Sequence, residues 1–308
     1  MKRRAFLHRS AIAGMTMVVP SIAAAKGASK EGSKTMRRSE PMSVVETTDG
    51  VRLFCRSWGA GRPVVFVHGW AVNCDIWQYQ MAPLAAHARC IAYDKRGHGR
   101  SDDPGSGYDY DTFADDLAAL LDRMDLKDVV LVGHSMGPGE IVRYLSRHGS
   151  TRVSRLVLIS SALPFMLKTA DNPGGIDPSA FAERRSQWLK DLPQFLARNA
   201  RAFVTPETSA ETVAWISQLG AQASLKALLD TNHAIAETDL RDDVSRVKLP
   251  TLIVHGAQDK SAPLDLTGNR IATMIPGREL KVYKDAPHGL LVTHIEQLNA
   301  DLAAWIRT

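Results

Sequence analysis

Short runs of apolar residues alternate along this chain with longer segments whose apolar positions recur every three or four residues. The short runs predict buried strands, and the longer segments predict amphipathic helices. Strands and helices that alternate in this way indicate an α/β fold, in which helices cover both faces of a mostly parallel sheet. The predicted strands lie at 51–58, 64–67, 89–93, 129–132, 153–159, 250–254 and 279–283, and the predicted helices at 77–86, 112–124, 137–148 and 291–306.

The alternation of strands and helices stops at about residue 162 and resumes at about residue 247. Helical patterns rich in aromatic residues fill the interval. They predict a helical lid at 162–246, inserted into a core that consists of 43–161 and 247–308. The candidate substrate-pocket residues of this lid, which could equally form its own apolar core, are Phe165, Met166 and Trp188.

The pentapeptide Gly133-His134-Ser135-Met136-Gly137 lies between a predicted buried strand and a predicted helix. A Gly-x-Ser-x-Gly sequence in this context is typical of a nucleophile elbow, a sharp turn that holds a reactive serine above the sheet. The glycines leave room for the turn, and the N-terminus of the helix faces any negative charge that forms beside the serine. Without the strand and the helix, these residues would indicate only a Gly-Ser loop. We therefore predict that Ser135 is a catalytic nucleophile.

A serine at neutral pH is a weak nucleophile, so an elbow predicts an acid and then a histidine further along the chain. Asp259 follows the next-to-last predicted strand, at a strand end where sites in open α/β sheets form, and Asp265 is a nearby alternative. His288 follows the last predicted strand, between a proline and a glycine, and His294 is its nearest alternative. We predict that Asp259 and His288 complete a catalytic triad with Ser135.

Acyl transfer also requires hydrogen-bond donors for the oxyanion of the tetrahedral intermediate. One donor is expected to be the backbone N–H of Met136, the residue after the nucleophile. The second is expected in the turn after an earlier strand, and the sequence His68-Gly69-Trp70 follows the predicted strand at 64–67. The sequence therefore predicts an oxyanion hole formed by the backbone N–H groups of Trp70 and Met136.

Longer stretches of the chain resemble the α/β-hydrolase superfamily, and within it the cofactor-free (non-heme) haloperoxidases, also known as perhydrolases, arylesterases and lactonases. The resemblance implies an α/β-hydrolase fold with an eight-stranded, mostly parallel sheet and a helical lid. It also implies the Ser135–Asp259–His288 triad, the same oxyanion hole, and activity without a metal or another cofactor. The stretches that carry it are His68-Gly69-Trp70, Tyr93-Asp94-Lys95-Arg96-Gly97-His98-Gly99-Arg100-Ser101, Gly107-Tyr108-Asp109-Tyr110-Asp111-Thr112-Phe113, Val130-Leu131-Val132-Gly133-His134-Ser135-Met136-Gly137 and Ala286-Pro287-His288-Gly289-Leu290-Leu291.

The chain departs from this family at three positions near the predicted site. His134 stands where relatives commonly have Phe, Pro138 where they have Thr, and Ala71 where peroxide-using members often have Pro. We therefore expect a serine hydrolase that cleaves an ester or a lactone with a small-to-medium acyl group. The alternatives are a haloperoxidase or perhydrolase that forms peracids with hydrogen peroxide, a C–C bond hydrolase with the same triad, and a small-molecule binding module without activity.

The N-terminal segment predicts export from the cytoplasm. Lys2-Arg3-Arg4-Ala5-Phe6-Leu7-His8 resembles a twin-arginine signal, and an apolar stretch and an Ala-x-Ala cleavage site at Ala23-Ala24-Ala25 follow. The apolar stretch is too short to span a membrane as a helix. We predict a signal peptide at 1–25, a linker at 26–42, and a periplasmic or extracellular protein without a membrane anchor after the signal is removed. A basic or disordered tail is the alternative.

The net charge of +5 comes mainly from this segment. Residues 1–25 hold four basic residues and no acidic one, so the rest of the chain has 34 basic and 33 acidic residues, a net charge of +1. A balanced charge does not indicate a nucleic-acid surface. The expected partner is therefore a small-molecule ester or lactone, and the sequence leaves its identity and the oligomeric state open.

The three cysteines, Cys55, Cys74 and Cys90, have no spacing typical of metal ligands, and an odd number cannot all pair. The α/β-hydrolase resemblance places Cys55 and Cys90 on neighbouring strands. A disulfide between them in an oxidising compartment is therefore an alternative to three free thiols, the interpretation that we favour.

Overall fold

The structure is a computed structural model that describes residues 43–308. The signal peptide at 1–25 and the linker at 26–42 that the sequence predicts lie outside the described residues. Among the helices of residues 43–308, none combines the length and the apolar character that crossing a bilayer requires.

The described part of the chain forms one eight-stranded sheet in the order β1-β2-β4-β3-β5-β6-β7-β8. Strand β2 is antiparallel to both of its neighbours, and the other pairs are parallel. The predicted α/β fold with a mostly parallel sheet is confirmed. The strands are β1 Val44–Glu46, β2 Arg52–Trp58, β3 Pro63–Val67, β4 Arg89–Tyr93, β5 Val129–His134, β6 Val153–Ile159, β7 Thr251–Gly256 and β8 Arg278–Tyr283.

Six α-helices accompany the strands of the core in the described chain, and four more lie between β6 and β7, where the sequence predicts a lid. The core helices are α1 Gln78–Leu84, α2 Tyr110–Arg123, α3 Gly137–His148, α8 Gly268–Met274, α9 Leu290–Thr293 and α10 Ile295–Arg307. The helices between β6 and β7 are α4 Pro178–Phe203, α5 Ala210–Gly220, α6 Leu225–Glu237 and α7 Arg241–Ser245.

Both faces of the sheet are buried along the strands β3, β4, β5 and β7, and this burial explains why these strands are mainly apolar. Successive side chains of a strand point to opposite faces. Val65 on β3 and Leu131 on β5 belong to one apolar core, to which α2 and α3 also contribute. Val64 and Val132, their chain neighbours, belong to a second core on the other face, to which α1 and α10 contribute.

Helix α4 is bent in the middle of the lid segment. Asp191 has φ −156° and ψ 81°, values outside the helical region, and it lies two residues before Pro193. A proline inside a helix removes a backbone hydrogen bond and clashes with the preceding turn. The bend brings the rings of Trp188 and Phe195, which lie on either side of it, to a centroid distance of 5.1 Å.

All three cysteines are buried free thiols. Cys55 on β2 lies opposite Tyr93, whereas Cys90 on β4 lies opposite Trp58. The Cys55 side chain packs into one of the two cores and the Cys90 side chain into the other. The two thiols therefore lie on opposite faces of the sheet, and the disulfide between them that we considered is not formed.

Candidate active site

Ser135 lies in the tight turn between β5 and α3, as the nucleophile-elbow pattern predicts. Its φ of +60° is in the left-handed region, which is costly for a residue with a side chain and is found mainly where surrounding contacts enforce it. The backbone of Ser135 is held on both sides, because its N–H donates to Ile159 at 3.0 Å and its carbonyl accepts from Ala162 at 2.9 Å. A Cβ atom on Gly137 would lie 2.5 Å from the carbonyl oxygen of Val67. The second glycine of the motif is therefore required by a close backbone approach.

Asp259 follows β7 and is buried. Its Oδ1 accepts the backbone N–H groups of Ser261 and Ala262 at 2.9 and 2.8 Å, and its Oδ2 lies 2.7 Å from Nδ1 of His288. Burial acts to raise the pKa of Asp259, but the neighbouring His288 ring and these donors outweigh it, so the pKa lies below its usual value. The alternative acid, Asp265, is exposed and accepts a hydrogen bond from Asn269.

His288 connects the serine to the acid. Its Nε2 lies 2.9 Å from Oγ of Ser135, on the side of the ring away from Asp259. An ionised carboxylate only accepts hydrogen bonds, so Nδ1–H donates to Asp259 and the free Nε2 accepts from the serine hydroxyl. The alternative base, His294, contacts Thr293 and Asp285 instead. The structure thus brings together the three side chains that the sequence selects.

The two predicted oxyanion donors lie in the turns that follow β3 and β5. Within residues 43–308, neither the backbone N–H of Trp70 nor that of Met136 donates a hydrogen bond to another protein group. Met136 immediately precedes α3, and the indole N–H of Trp70 donates to the carbonyl of Leu228 on α6 at 2.9 Å. Both backbone donors therefore remain free to bind a ligand, and their assignment as an oxyanion hole stays a prediction.

A cavity of about 110 Å³ opens beside Ser135 and His288. Met166 and Trp188, two of the predicted pocket residues, line it. Phe165, the third, is not among the lining residues, and the centroid of its ring lies 5.4 Å from the guanidinium of Arg241. The aromatic residues that line the cavity are Trp70, Phe181, Trp188, Phe195 and Phe203.

Three of these aromatic residues share a signal that could have been read from the sequence. Phe181, Trp188 and Phe195 recur every seven residues, which corresponds to two helical turns and predicts one common face.

Within the described residues, no group of three or more His, Cys, Asp or Glu side chains is arranged to hold a metal ion.

The sequence matches a known protein family over most of its length. A family model described as "alpha/beta hydrolase fold" matches residues 62–295. The chain belongs to the α/β-hydrolase family. The expected likeness to the non-heme haloperoxidases is also confirmed. The chain is 40% identical over 275 residues to the non-heme chloroperoxidase CPO-A1 of Kitasatospora aureofaciens, with 86% of this chain and 99% of the relative covered.

Another relative and two solved structures extend this likeness. The bifunctional esterase/perhydrolase DCH of Acinetobacter calcoaceticus is 35% identical over 277 residues, covering 87% of this chain and 100% of the relative. The bromoperoxidase from Bacillus anthracis superposes with a TM-score of 0.83 at 33% identity, and the esterase from Exiguobacterium antarcticum with 0.84 at 30% identity. Each structure covers 86% of this chain and 99% of its own.

This α/β-hydrolase has a second imidazole beside the triad. His134 is buried, its Nε2–H donates to the backbone carbonyl of His288 at 3.0 Å, and the centroids of the two rings are 4.8 Å apart. Burial, followed by the proximity of His288, lowers the pKa of His134 to about 3. His134 is therefore neutral near pH 7, and it holds the loop that carries His288. The sequence marked this position only as a departure from the family.

A third imidazole lies on the other side of this α/β-hydrolase triad. His255 at the end of β7 donates its Nε2–H to the carbonyl of Ala262 at 2.8 Å and closes the loop around Asp259. The Nε2 of His255 is 3.5 Å from Oδ2 of Asp259. Burial lowers the pKa of His255, although Asp259 acts in the opposite direction. In the sequence, His255 has no signal other than its place at a strand end, and it is not among the predicted site residues.

Proposed function

We propose that this protein is a serine hydrolase that cleaves a carboxylic ester or a lactone through an acyl-enzyme on Ser135. The observation that carries this proposal is the continuous chain of contacts from Oγ of Ser135 to Nε2 of His288 at 2.9 Å, and from Nδ1 of His288 to Oδ2 of Asp259 at 2.7 Å. Hydroxyl, imidazole and carboxylate in this order activate a serine for attack on a carbonyl carbon.

The reaction begins when Oγ of Ser135 attacks the carbonyl carbon and Nε2 of His288 takes the hydroxyl proton. The low pKa of Asp259 keeps this carboxylate ionised at neutral pH, so it stabilises the imidazolium that forms. The backbone N–H groups of Trp70 and Met136 bind the oxyanion of the tetrahedral intermediate. His288 then donates its proton to the leaving alcohol, and a water molecule activated by the same imidazole hydrolyses the acyl-enzyme.

The size of the cavity favours substrates with short acyl groups. Its volume of about 110 Å³ is well below the 300 Å³ or so at which pockets for drug-sized ligands begin. Its wall includes one Trp from the loop after β3 and four Trp or Phe side chains from α4. We expect p-nitrophenyl acetate and butyrate to be hydrolysed with a higher kcat/KM than p-nitrophenyl octanoate.

Replacement of the nucleophile tests this proposal directly. Ser135→Ala removes the attacking oxygen, and turnover of p-nitrophenyl acetate should fall by about 10⁴-fold or more because triad members act as a unit. Ser161→Ala is the matched control, since Ser161 lies just after β6 and its hydroxyl only accepts the N–H of Leu163. An organophosphonate probe should label wild-type protein on Ser135 alone. Turnover at the wild-type rate in Ser135→Ala would refute the assignment.

Perhydrolysis is a second candidate activity, and relatives favour it. One relative is named a bifunctional esterase/perhydrolase, and others are named non-heme chloroperoxidases. Hydrogen peroxide would replace water in attack on the acyl-enzyme and release a peracid. Ala71 has φ +53°, a value closed to proline, so the turn after Trp70 differs from a turn that holds Pro. Peracid formation and hydrolysis, measured with one acyl donor at equal concentrations of enzyme, should show hydrolysis as the faster reaction.

We further propose that residues 1–25 direct export through the twin-arginine route to the periplasm or the exterior. The proposal is supported by the pair Arg3-Arg4, the apolar stretch after it and the Ala23-Ala24-Ala25 cleavage site. In a bacterial host with this route, the wild-type chain should yield a mature protein that begins at Lys26. The double change Arg3→Lys and Arg4→Lys should leave the precursor in the cytoplasm. A wild-type chain that remains cytoplasmic and uncleaved would contradict the proposal.

A further inference from the structure

The lid side of the active-site cavity carries polar groups that the triad chemistry does not use. Arg184 and Asn199 on α4 and Asn232 on α6 line the cavity together with the aromatic residues. No Asp or Glu of residues 43–308 is among the lining residues. The lid side of the cavity therefore combines aromatic side chains and two neutral amides with a single cationic group, an arrangement that attracts an anion.

The guanidinium of Arg184 is available for a ligand. Arg184 lies on the face of α4 that also presents Phe181 and Trp188 to the cavity, because positions three and four residues apart share one side of a helix. It is exposed to solvent, and within the described chain it forms no ion pair and no hydrogen bond. The neighbouring carboxylate of Glu183 accepts the amide of Gln187 at 3.0 Å instead.

Asn232, a buried residue, contributes an amide group to the same cavity. Only 8% of its surface is exposed, and its Oδ1 accepts a hydrogen bond from Nη1–H of Arg185 at 3.1 Å. A guanidinium has only donors, so the oxygen of the amide must face Arg185, and the Nδ2 group must point the other way. Within residues 43–308, Nδ2 donates to no protein group. Arg185 thus fixes the orientation of the Asn232 amide, and the N–H donors of Asn232 Nδ2 remain available to a ligand.

We propose that Arg184 and Nδ2 of Asn232 form an anion subsite, and that the preferred substrate is an ester or a lactone that also carries a carboxylate. This inference rests on the proposed ester hydrolysis and names its substrate class. A carboxylate accepts two hydrogen bonds from a guanidinium in one plane and has lone pairs left for an amide donor. In this arrangement the reacting carbonyl group of the substrate lies at Ser135, and its carboxylate binds Arg184 on the lid side of the cavity.

Two pairs of substrates test the subsite from either side of the scissile bond. Mono-p-nitrophenyl glutarate and p-nitrophenyl valerate have acyl chains of equal length and differ in the terminal carboxylate. The second pair, 4-acetoxybenzoate and phenyl acetate, places the carboxylate on the leaving group. The preference ratio is kcat/KM for the anionic ester divided by kcat/KM for the neutral one. In the wild-type protein it should fall at about 0.5 M salt, because ions screen exposed charges.

Arg184→Gln should lower the preference ratio of at least one pair by about tenfold, and Arg184→Lys should keep part of it because the charge remains. Asn232→Asp keeps an oxygen for Arg185 but replaces the donor with a second acceptor, so it should lower the same ratio. Arg198→Gln, on the same helix but outside the cavity lining, is the control and should leave both ratios as in wild type. Ratios that stay unchanged in Arg184→Gln for both pairs would overturn the proposal.

A binding measurement separates this inference from the proposed reaction. In the Ser135→Ala variant, quenching of the cavity tryptophans, Trp70 and Trp188, reports ligand binding without turnover. Monoethyl glutarate should bind more tightly than ethyl valerate, and adding Arg184→Gln should remove this difference. If wild-type protein hydrolyses no ester but binding still depends on Arg184, the proposed reaction fails and the subsite stands. If neutral esters are hydrolysed and both ligands bind equally, the subsite fails and the reaction stands.

Discussion

The carboxylate of Asp259 has imidazole rings on two sides, and only one of them leads to the serine. Its Oδ2 is 2.7 Å from Nδ1 of His288 and 3.5 Å from Nε2 of His255. The Nε2–H of His255 already donates to the carbonyl of Ala262 at 2.8 Å. Asp259 therefore forms its imidazole hydrogen bond with His288, whereas His255 fixes the loop in which Asp259 lies.

This geometry predicts how substitution of the acid affects activity. Asp259→Asn keeps the size of the side chain but removes the charge that stabilises the imidazolium, so kcat/KM for p-nitrophenyl acetate should fall by about 10³- to 10⁴-fold. Asp265→Asn is the matched control, because Asp265 is exposed and its carboxylate accepts a hydrogen bond from Asn269, not from His288. If kcat/KM falls further in Asp265→Asn than in Asp259→Asn, the assignment of Asp259 as the acid is wrong.

The candidate triad could be predicted residue by residue, because strand ends in a parallel sheet meet at one edge. Chain order alone does not separate Asp259 from Asp265 or His288 from His294, since each pair follows the same strand. What separates them is the loop conformation: two backbone donors hold Asp259 inward, while the Asp265 side chain is exposed to solvent. The polar groups of Arg184 and Asn232 could not be predicted from the sequence. They lie on different lid helices, α4 and α6, and no periodic pattern in the sequence indicates how these two helices pack.

At the scale of whole elements, a buried ionic contact joins the loop after β4 to α3, the helix that follows the nucleophile. Lys95 and Glu140 form an ion pair in which both side chains are fully buried, and the hydroxyl of Tyr93 donates to the same carboxylate. Burial acts to lower the pKa of Lys95 and to raise the pKa of Glu140, and their mutual attraction opposes both effects. Each charge is stable inside the protein only because the other is present.

Removal of one partner should therefore cost more than removal of both. Lys95→Met leaves a buried carboxylate uncompensated and should lower the free energy of unfolding by about 3–5 kcal/mol. The double variant Lys95→Met with Glu140→Gln contains no isolated charge, so it should lose at least about 2 kcal/mol less than the sum of the single changes. Urea titrations measure all three values.

The pair Lys226–Asp230 on α6 is the matched control for this experiment. It is an exposed i,i+4 pair, and such pairs contribute about 0.5 kcal/mol or less. Lys226→Met should therefore change the free energy of unfolding by no more than this amount. Additive losses in the Lys95 and Glu140 variants would show that the two charges do not depend on each other.

Elements that bury a whole face could be predicted, and short or exposed ones could not. The predicted bounds of β4, β6 and α3 agree with the structure, because each presents a continuous apolar run or stripe to a core. The edge strand β1 has three residues, of which only Val45 is buried, and α8 has only seven residues. The helix predicted at 291–306 is two helices, because His294 adopts φ −123° and ψ 44° between them.

For the molecule as a whole, four buried histidines outside the triad couple folding to pH. Burial lowers the pKa of His68 well below its usual value, lowers that of His98 to about 4 and that of His134 to about 3, and also lowers the pKa of His255. Within the described chain, His98, His134 and His255 each have one ring nitrogen without a hydrogen-bond partner. In the unfolded chain, all four rings take up a proton near pH 6.5.

The free energy of unfolding should therefore fall as the pH is lowered from about 6.5 to about 4. In this range the unfolded state binds protons that the folded state does not, and each such histidine contributes a slope of up to about 1.4 kcal/mol per pH unit. His134→Phe removes one of the four groups, so its slope in urea titrations should be shallower by up to that amount. His87→Phe makes the same change at an exposed position and should keep the wild-type slope. Equal slopes in wild type and His134→Phe would mean that His134 is charged in the folded protein.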